Sequence, residues 1–205
     1  MNANRQPLTL FDVDTQVDFM RSTGRLYVPH AEEIVPNLQR LVSWARANDV
    51  PVISTADAHA ADDPEFKIWP PHCVRGTPGQ QRIPETQFPA PVVVPCRPGA
   101  FLPPTRWKGQ YIVEKTTYSP QDNPNFDALL QALGPQRAVV FGVATEFCVL
   151  AVVRALCQRS FQVELVADAI KPITEEGSRA ALAEMAAAGV RMVSTAQVCG
   201  PVASL

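Results

Sequence analysis

Apolar positions along the chain fall into two alternating rhythms. Short β-branched runs at residues 8–14 and 50–56 flank a segment, 34–48, whose apolar residues recur at helical spacing. Strand, helix and strand in that order make a βαβ unit, which builds a parallel sheet with helices packed on its faces. The second half repeats the rhythm: 138–143 reads as a fully buried strand, 146–159 as a helix, 162–167 as a strand, 175–188 as a helix and 190–194 as a last strand. The pattern predicts an α/β fold of three α-β-α layers around a mostly parallel, Rossmann-like sheet, with residues 1–205 forming a single domain.

Between the two halves lies 57–104, rich in proline and glycine and too long for a plain connector. Loops of this kind carry function. A short strand is expected inside it at 92–94, and another, 111–114, precedes Lys115. Ligands of α/β sheets gather beyond the carboxyl ends of the strands. Those ends deliver Asp14, then Asp57 with His59, then Lys115, then the segment 142–148, Gly-Val-Ala-Thr-Glu-Phe-Cys.

Composition narrows the partners. A chain of 205 residues with 46% hydrophobic and 19% charged residues is globular, and a net charge of -2 offers no basic surface for nucleic acid. No stretch approaches the roughly 20 apolar residues of a membrane span, and the opening lacks a basic segment followed by an apolar run. The expectation is a cytoplasmic protein acting on a small molecule, with a homo-oligomer compatible with the sequence. Five cysteines without regular spacing read as free thiols rather than a disulfide framework.

Cys148 falls where a buried strand gives way to a helix, where unpaired N–H groups and the helix dipole favour a thiolate. Position alone does not separate such a nucleophile from a small buried core thiol. Cys157, further along among alanine and leucine, reads as structural. A cysteine nucleophile needs a base and a group that favours the anion; Asp14 and Lys115 at neighbouring strand ends would complete a Cys-Asp-Lys triad. Taken singly, Lys115 could equally be a solvated loop lysine and Asp14 a turn or cap residue. Asp57 and His59, two apart in an extended segment, share one face, and His72 follows Trp69-Pro70-Pro71; one carboxylate and two imidazoles suit zinc, iron or manganese with positions left open. Phe19 and Trp69 could flank a flat ring, or be core aromatics. Tyr118-Ser119 could shape the same pocket or serve an ordinary turn.

Taken together, these motifs resemble the isochorismatase-like cysteine hydrolases, in the right order from Leu8 to about Ser194. Asp14-Thr15-Gln16-Val17-Asp18-Phe19 resembles the family's first-strand motif, whose leading aspartate is the catalytic base. The 142–148 segment resembles its nucleophile motif, and Lys115 matches the third member. Within the superfamily, Asp57-Ala58-His59, Trp69-Pro70-Pro71-His72-Cys73-Val74 and Gly76-Thr77-Pro78-Gly79 resemble nicotinamidase motifs.

The resemblance implies several specific features. Asp57, His59 and His72 would bind one divalent ion, zinc first and iron or manganese as alternatives, which could hold a ring nitrogen. Phe19, Trp69 and Ala144 would border the substrate. A cis peptide between Val143 and Ala144 would turn the N–H groups of Ala144 and Cys148 toward a developing oxyanion. The implied activity is hydrolysis of nicotinamide to nicotinate and ammonia through a thioester, serving NAD salvage. Val17 stands where the family motif usually has asparagine, and Thr116 follows Lys115 where glycine is often seen. Both changes lie at the pocket rim, so the alternative is a related amidase taking another small amide or N-carbamoyl compound. A third reading, a catalytically silent binding or scaffold protein, sits poorly with Asp14, Lys115 and Cys148 at three separate strand ends.

Overall fold

Seven strands make up one sheet in the computed structural model, which describes residues 7–134 and 136–200. In chain order they are β1 (Leu8–Val13), β2 (Val52–Asp57), β3 (Val92–Val94), β4 (Gln110–Lys115), β5 (Arg137–Val143), β6 (Gln162–Lys171) and β7 (Arg191–Val193). They lie in the order β3-β4-β2-β1-β5-β6-β7, and every neighbouring pair is parallel. Parallel pairing requires crossovers that cover both faces, which is why the central strands are buried along nearly their whole length.

Two apolar layers sandwich the sheet. Phe11, Val13 and Val140 face one side, against α3 (Phe126–Leu133) and α4 (Leu150–Cys157), while Leu10, Val139 and Phe141 face the other, against α2 (Val35–Ala47). The alternation follows from the two-residue period of a strand. Helix α2 buries Leu38, Leu41, Val42 and Ala45 on one stripe and carries a proline in its first turn, where the missing N–H is harmless. α5 (Glu175–Ala187) starts at Thr174, whose hydroxyl accepts the Gly177 N–H at 3.1 Å, with two glutamates in its positive first turn.

The α/β architecture and the parallel sheet agree with the sequence pattern; several boundaries do not. The strand expected at 162–167 runs on to Lys171, because a bulge between β5 and β6 lets pairing resume at Gly142 with Ile170. The helix expected at 146–159 opens as a π-helical turn, Thr145–Val149, and becomes α-helical only from Leu150 to Cys157. Three helices were not marked by the pattern: α1 (Val17–Met20), α3 and α6 (Thr195–Cys199), of four, eight and five residues, each too short for periodicity to register.

Gly142 lets the end of β5 close onto β1. Its φ is 122°, and a Cβ there would stand 2.1 Å from the Val13 carbonyl oxygen. Gly142→Ala should therefore lower stability by more than about 2 kcal/mol, through combined strain and overpacking. A urea-unfolding midpoint unchanged from that of the parent would refute this account of the close approach.

Candidate active site

Four strand ends converge on one ammonium group. Asp14 follows β1, Asp57 and Lys115 are the last residues of β2 and β4 and stand opposite each other in the register, and Cys148 lies in the π turn after β5. Lys115 is 0% exposed and Cys148 8%. Lys115 Nζ lies 2.8 Å from Asp14 Oδ2, 3.6 Å from Cys148 Sγ, and in an ion pair with Asp57 Oδ1. Of the residues the sequence marked as Cys-Asp-Lys, the fold thus gathers all three, and it adds Asp57, which sequence reasoning assigned only to a metal.

A fully buried cation is tolerated only among anions. Burial works against the charge on Lys115, but Asp14 and Asp57 outweigh it and hold the ammonium well above its ordinary pKa. Burial pushes the Asp14 carboxyl up, with Lys115 opposing and Asp57 adding. Burial likewise pushes the Cys148 thiol well up, against the pull of Lys115. Asp57 goes the other way: burial resists its charge, yet Lys115 and the two imidazoles hold it below the usual carboxylate range. The cluster therefore retains protons on the thiol and the amine, with Asp14 closer to a poised acceptor than an ordinary aspartate.

Beside the lysine, Asp57 Oδ2 lies 3.7 Å from His59 Nε2 and 3.5 Å from His72 Nε2, all three side chains being buried. The bridge between His59 and Val74 brings the two histidines together, with ring centroids 4.7 Å apart. His72 Nδ1–H donates to the Pro70 carbonyl at 2.8 Å, which turns Nε2 toward Asp57. His59 Nε2 is buried without a hydrogen-bond partner; Asp63 lies 3.1 Å from Nδ1 but out of hydrogen-bond alignment. Burial lowers the proton affinity of His59, but the Asp57 and Asp63 carboxylates raise it further, so the site favours a cation. One carboxylate and two imidazoles, each offering a ligand atom within 4.8 Å of the others, fit a divalent ion.

A cavity of about 390 Å³, mouth included, opens over this cluster. Asp14, Asp57 and Cys148 form part of its floor, and Phe19, Trp69 and Ala144 are among its walls. Phe19 is buried against His72, and Trp69 meets Phe147 edge-on while its Nε1 donates to the Tyr118 hydroxyl at 2.6 Å. The Val143–Ala144 peptide is cis, and the Ala144 N–H has no acceptor among the described residues. Leu26, Val28, Glu65, Phe147 and Ile173 also line the cavity. The sequence marked none of them for this role, because they come from loops, from a single 3-10 turn in the case of Glu65, or, for Phe147, from inside a motif that drew attention to its neighbour.

One further residue organises the floor. Gln16 accepts the Asp57 N–H at 2.7 Å and donates to the Asp57 carbonyl at 2.8 Å and the Gln80 carbonyl at 2.7 Å. It ties the end of β2 to the segment after Gly79, where a Cβ would collide with the Asp18 carboxylate at 2.1 Å. Gln16 lies within the first-strand motif, but nothing in the sequence pattern reveals its fully buried amide.

The profile of the isochorismatase domain matches residues 9–197. The chain belongs to that family. Among its relatives, an Escherichia coli nicotinamidase is 26% identical over 93% of this chain and 96% of that protein. A Mycobacterium tuberculosis nicotinamidase/pyrazinamidase is 26% identical over 90% of this chain and 97% of that protein. The crystal structure of a Pyrococcus horikoshii pyrazinamidase in complex with zinc superposes with a TM-score of 0.76 at 28% identity, covering 91% of this chain and 98% of that one. No helix among the described residues is long and apolar enough to cross a membrane.

Removing the central cation should expose what it neutralises. Lys115→Met leaves Asp14 and Asp57 buried without their cation and should cost about 3–5 kcal/mol in urea unfolding, with part recovered by adding Asp57→Asn. If Lys115→Met proves as stable as the parent, the buried carboxylates do not depend on this ammonium.

Proposed function

We propose that the protein is an amidase that hydrolyses nicotinamide to nicotinate and ammonia. The observation that carries this reading is the buried Lys115 ammonium, 3.6 Å from Cys148 Sγ and 2.8 Å from Asp14 Oδ2, two residues that line an aromatic-walled pocket. The nicotinamidase and pyrazinamidase relatives, which align along nearly the whole chain, support the same chemistry.

In this reaction Asp14 takes the proton of the Cys148 thiol, and Lys115 stabilises the thiolate and carboxylate around it. The sulfur adds to the amide carbon, and the oxygen, now negative, is received by the N–H groups of Ala144 and Cys148. Asp14 returns the proton to the amide nitrogen as the carbon–nitrogen bond breaks, so ammonia leaves and a thioester remains. Water, deprotonated by Asp14, adds to the thioester; the carbon–sulfur bond breaks, the thiol recovers its proton, and the acid departs. Phe19 and Trp69 hold the flat ring between them while the apolar walls exclude competing water. Asp57, His59 and His72 would hold a divalent ion, zinc or a metal of similar preference, whose Lewis acidity would anchor a ring nitrogen.

Purified protein should release ammonia from nicotinamide. Cys148→Ser should remove nearly all of that activity, while Cys157→Ser, half-buried against the core, should keep it. Activity on other amides but not on nicotinamide would retain the cysteine chemistry and reject the substrate. An essential Cys157 with a dispensable Cys148 would reject the mechanism.

Elemental analysis should find about one divalent ion per chain, the stoichiometry of a single three-ligand set. A His59→Ala, His72→Ala double variant should lose it while keeping the parental circular dichroism. Full metal content in that variant would place the ion elsewhere.

A further inference from the structure

One buried charge pair takes no part in the chemistry above. Asp12, two residues before Asp14, is fully buried, and its carboxylate is paired with the guanidinium of Arg82, which is 6% exposed. Asp12 shares the sheet face of Leu10, the face that carries one of the two apolar layers. Apolar residues of similar volume often stabilise such a position as well as, or better than, an ion pair. Burial pushes the Asp12 carboxyl up, with Arg82 opposing. Fold stability alone is thus a weak reason for the pair.

The bonds of Arg82 point to another role. Nη2 donates to Thr15 Oγ1 at 2.6 Å and Thr86 Oγ1 at 3.1 Å, and Nη1 donates to the Thr55 carbonyl at 3.3 Å. Thr15 Oγ1 in turn donates to Asp12 Oδ1 at 3.0 Å. Thr15 follows Asp14 in the chain. Thr55 meets Asp14 across the sheet, donating from Oγ1 to Asp14 Oδ1 at 2.6 Å and accepting the Asp14 N–H at 3.3 Å. Arg82 therefore grips the two residues that fix Asp14. Asp14 needs fixing, because its φ of 49° lies in the left-handed region that a non-glycine residue holds only when its surroundings enforce it.

The backbone around Arg82 extends the grip. Val17 N–H donates to the Gln81 carbonyl at 2.8 Å and Ile83 N–H to the Thr15 carbonyl at 3.0 Å, so 81–83 runs beside 15–17. Gln16, held between them, clamps both backbone groups of Asp57.

We propose that Arg82, locked in place by Asp12, is a positioning residue that sets the 14–16 turn, aiming the Asp14 carboxylate at Cys148 and the Asp57 carboxylate at Lys115. This rests on the hydrolase reading above. A shift of about 1 Å in a reacting group is enough to cost on the order of 100-fold in rate.

The test replaces the pair without leaving a lone charge, as Asp12→Leu with Arg82→Met, and compares it with Thr15→Val, which keeps the pair but removes the hydroxyl through which Arg82 holds the turn. The double variant should keep its circular dichroism and urea midpoint. Its kcat should fall about 10- to 100-fold with KM nearly unchanged, the signature of lost alignment rather than lost binding. Alkylation of Cys148 by iodoacetamide, followed by mass spectrometry at that residue, should slow in step. Thr15→Val should lose kcat about 10-fold, and Arg82→Lys, which keeps the charge but not the forked donors, should not restore the parental rate. A folded double variant with parental kcat and alkylation rate would overturn the proposal. If that variant does not fold, parental kcat and alkylation in Thr15→Val would do so. A parent enzyme that hydrolyses no amide would reject the amidase reading instead, and the alkylation rates would still decide the positioning role.

Discussion

A lysine with no solvent exposure exists only where the fold supplies its counter-charges, and the rest of this site is arranged around that requirement. Lys115 brings one positive charge to a place where Asp14, Asp57 and Cys148 arrive from three other strand ends. Remove the ammonium and two carboxylates confront each other in a poorly solvated floor. Remove a carboxylate and the cation loses much of its compensation. Each group's protonation depends on its neighbours, so the four titrate as a set rather than as separate residues. That interdependence is also what gives the set chemical use, since a proton can pass between sulfur and carboxylate without changing the net charge of the cluster.

Asp57 extends the same constraint sideways. Its Oδ1 serves Lys115, while its Oδ2 faces the two imidazoles at 3.5 and 3.7 Å. One carboxylate thus forms the wall between the lysine cluster and the histidine pair. Because both of its oxygens are engaged, its backbone has to be fixed independently, and Gln16 does this through the Asp57 N–H and C=O. The parallel register of β2 and β4, which sets Asp57 opposite Lys115, makes the juxtaposition a property of the sheet rather than of a flexible loop.

Much of this was legible before the structure. Alternating strand and helix patterns give the parallel sheet, and the rule that ligands collect at strand carboxyl ends singles out Asp14, Asp57, Lys115 and Cys148. The spacing of Asp57, His59 and His72 suggests a ligand set, although their approach needs the His59–Val74 bridge, which no local pattern announces. The helix α3 was missed because its eight residues hold little more than two turns of periodicity. The extension of β6 was missed because it follows from a bulge, a tertiary feature. The double duty of Asp57 was hidden for a different reason: a sequence shows what a residue can bind, not how many partners the fold will give it.

The least legible part is the loop between β2 and β4, and its physics explains why. Regular elements are specified by repeating apolar patterns, but this segment is held by single, directional bonds from buried polar groups. Asp18 accepts the Cys73 N–H at 2.7 Å, Gln110 accepts the Phe88 N–H at 2.9 Å, and Asn123 donates to the Val94 carbonyl at 3.0 Å. Arg82 and Asp12 belong to the same class, an arginine that in sequence looks like any solvated loop residue. Such bonds carry no period, so pattern reading passes over them. In a buried setting, however, each is costly to break, because the group left behind has no water to turn to. A loop fastened in this way can carry ligand residues and pocket walls with the precision of a strand while having almost no regular structure of its own.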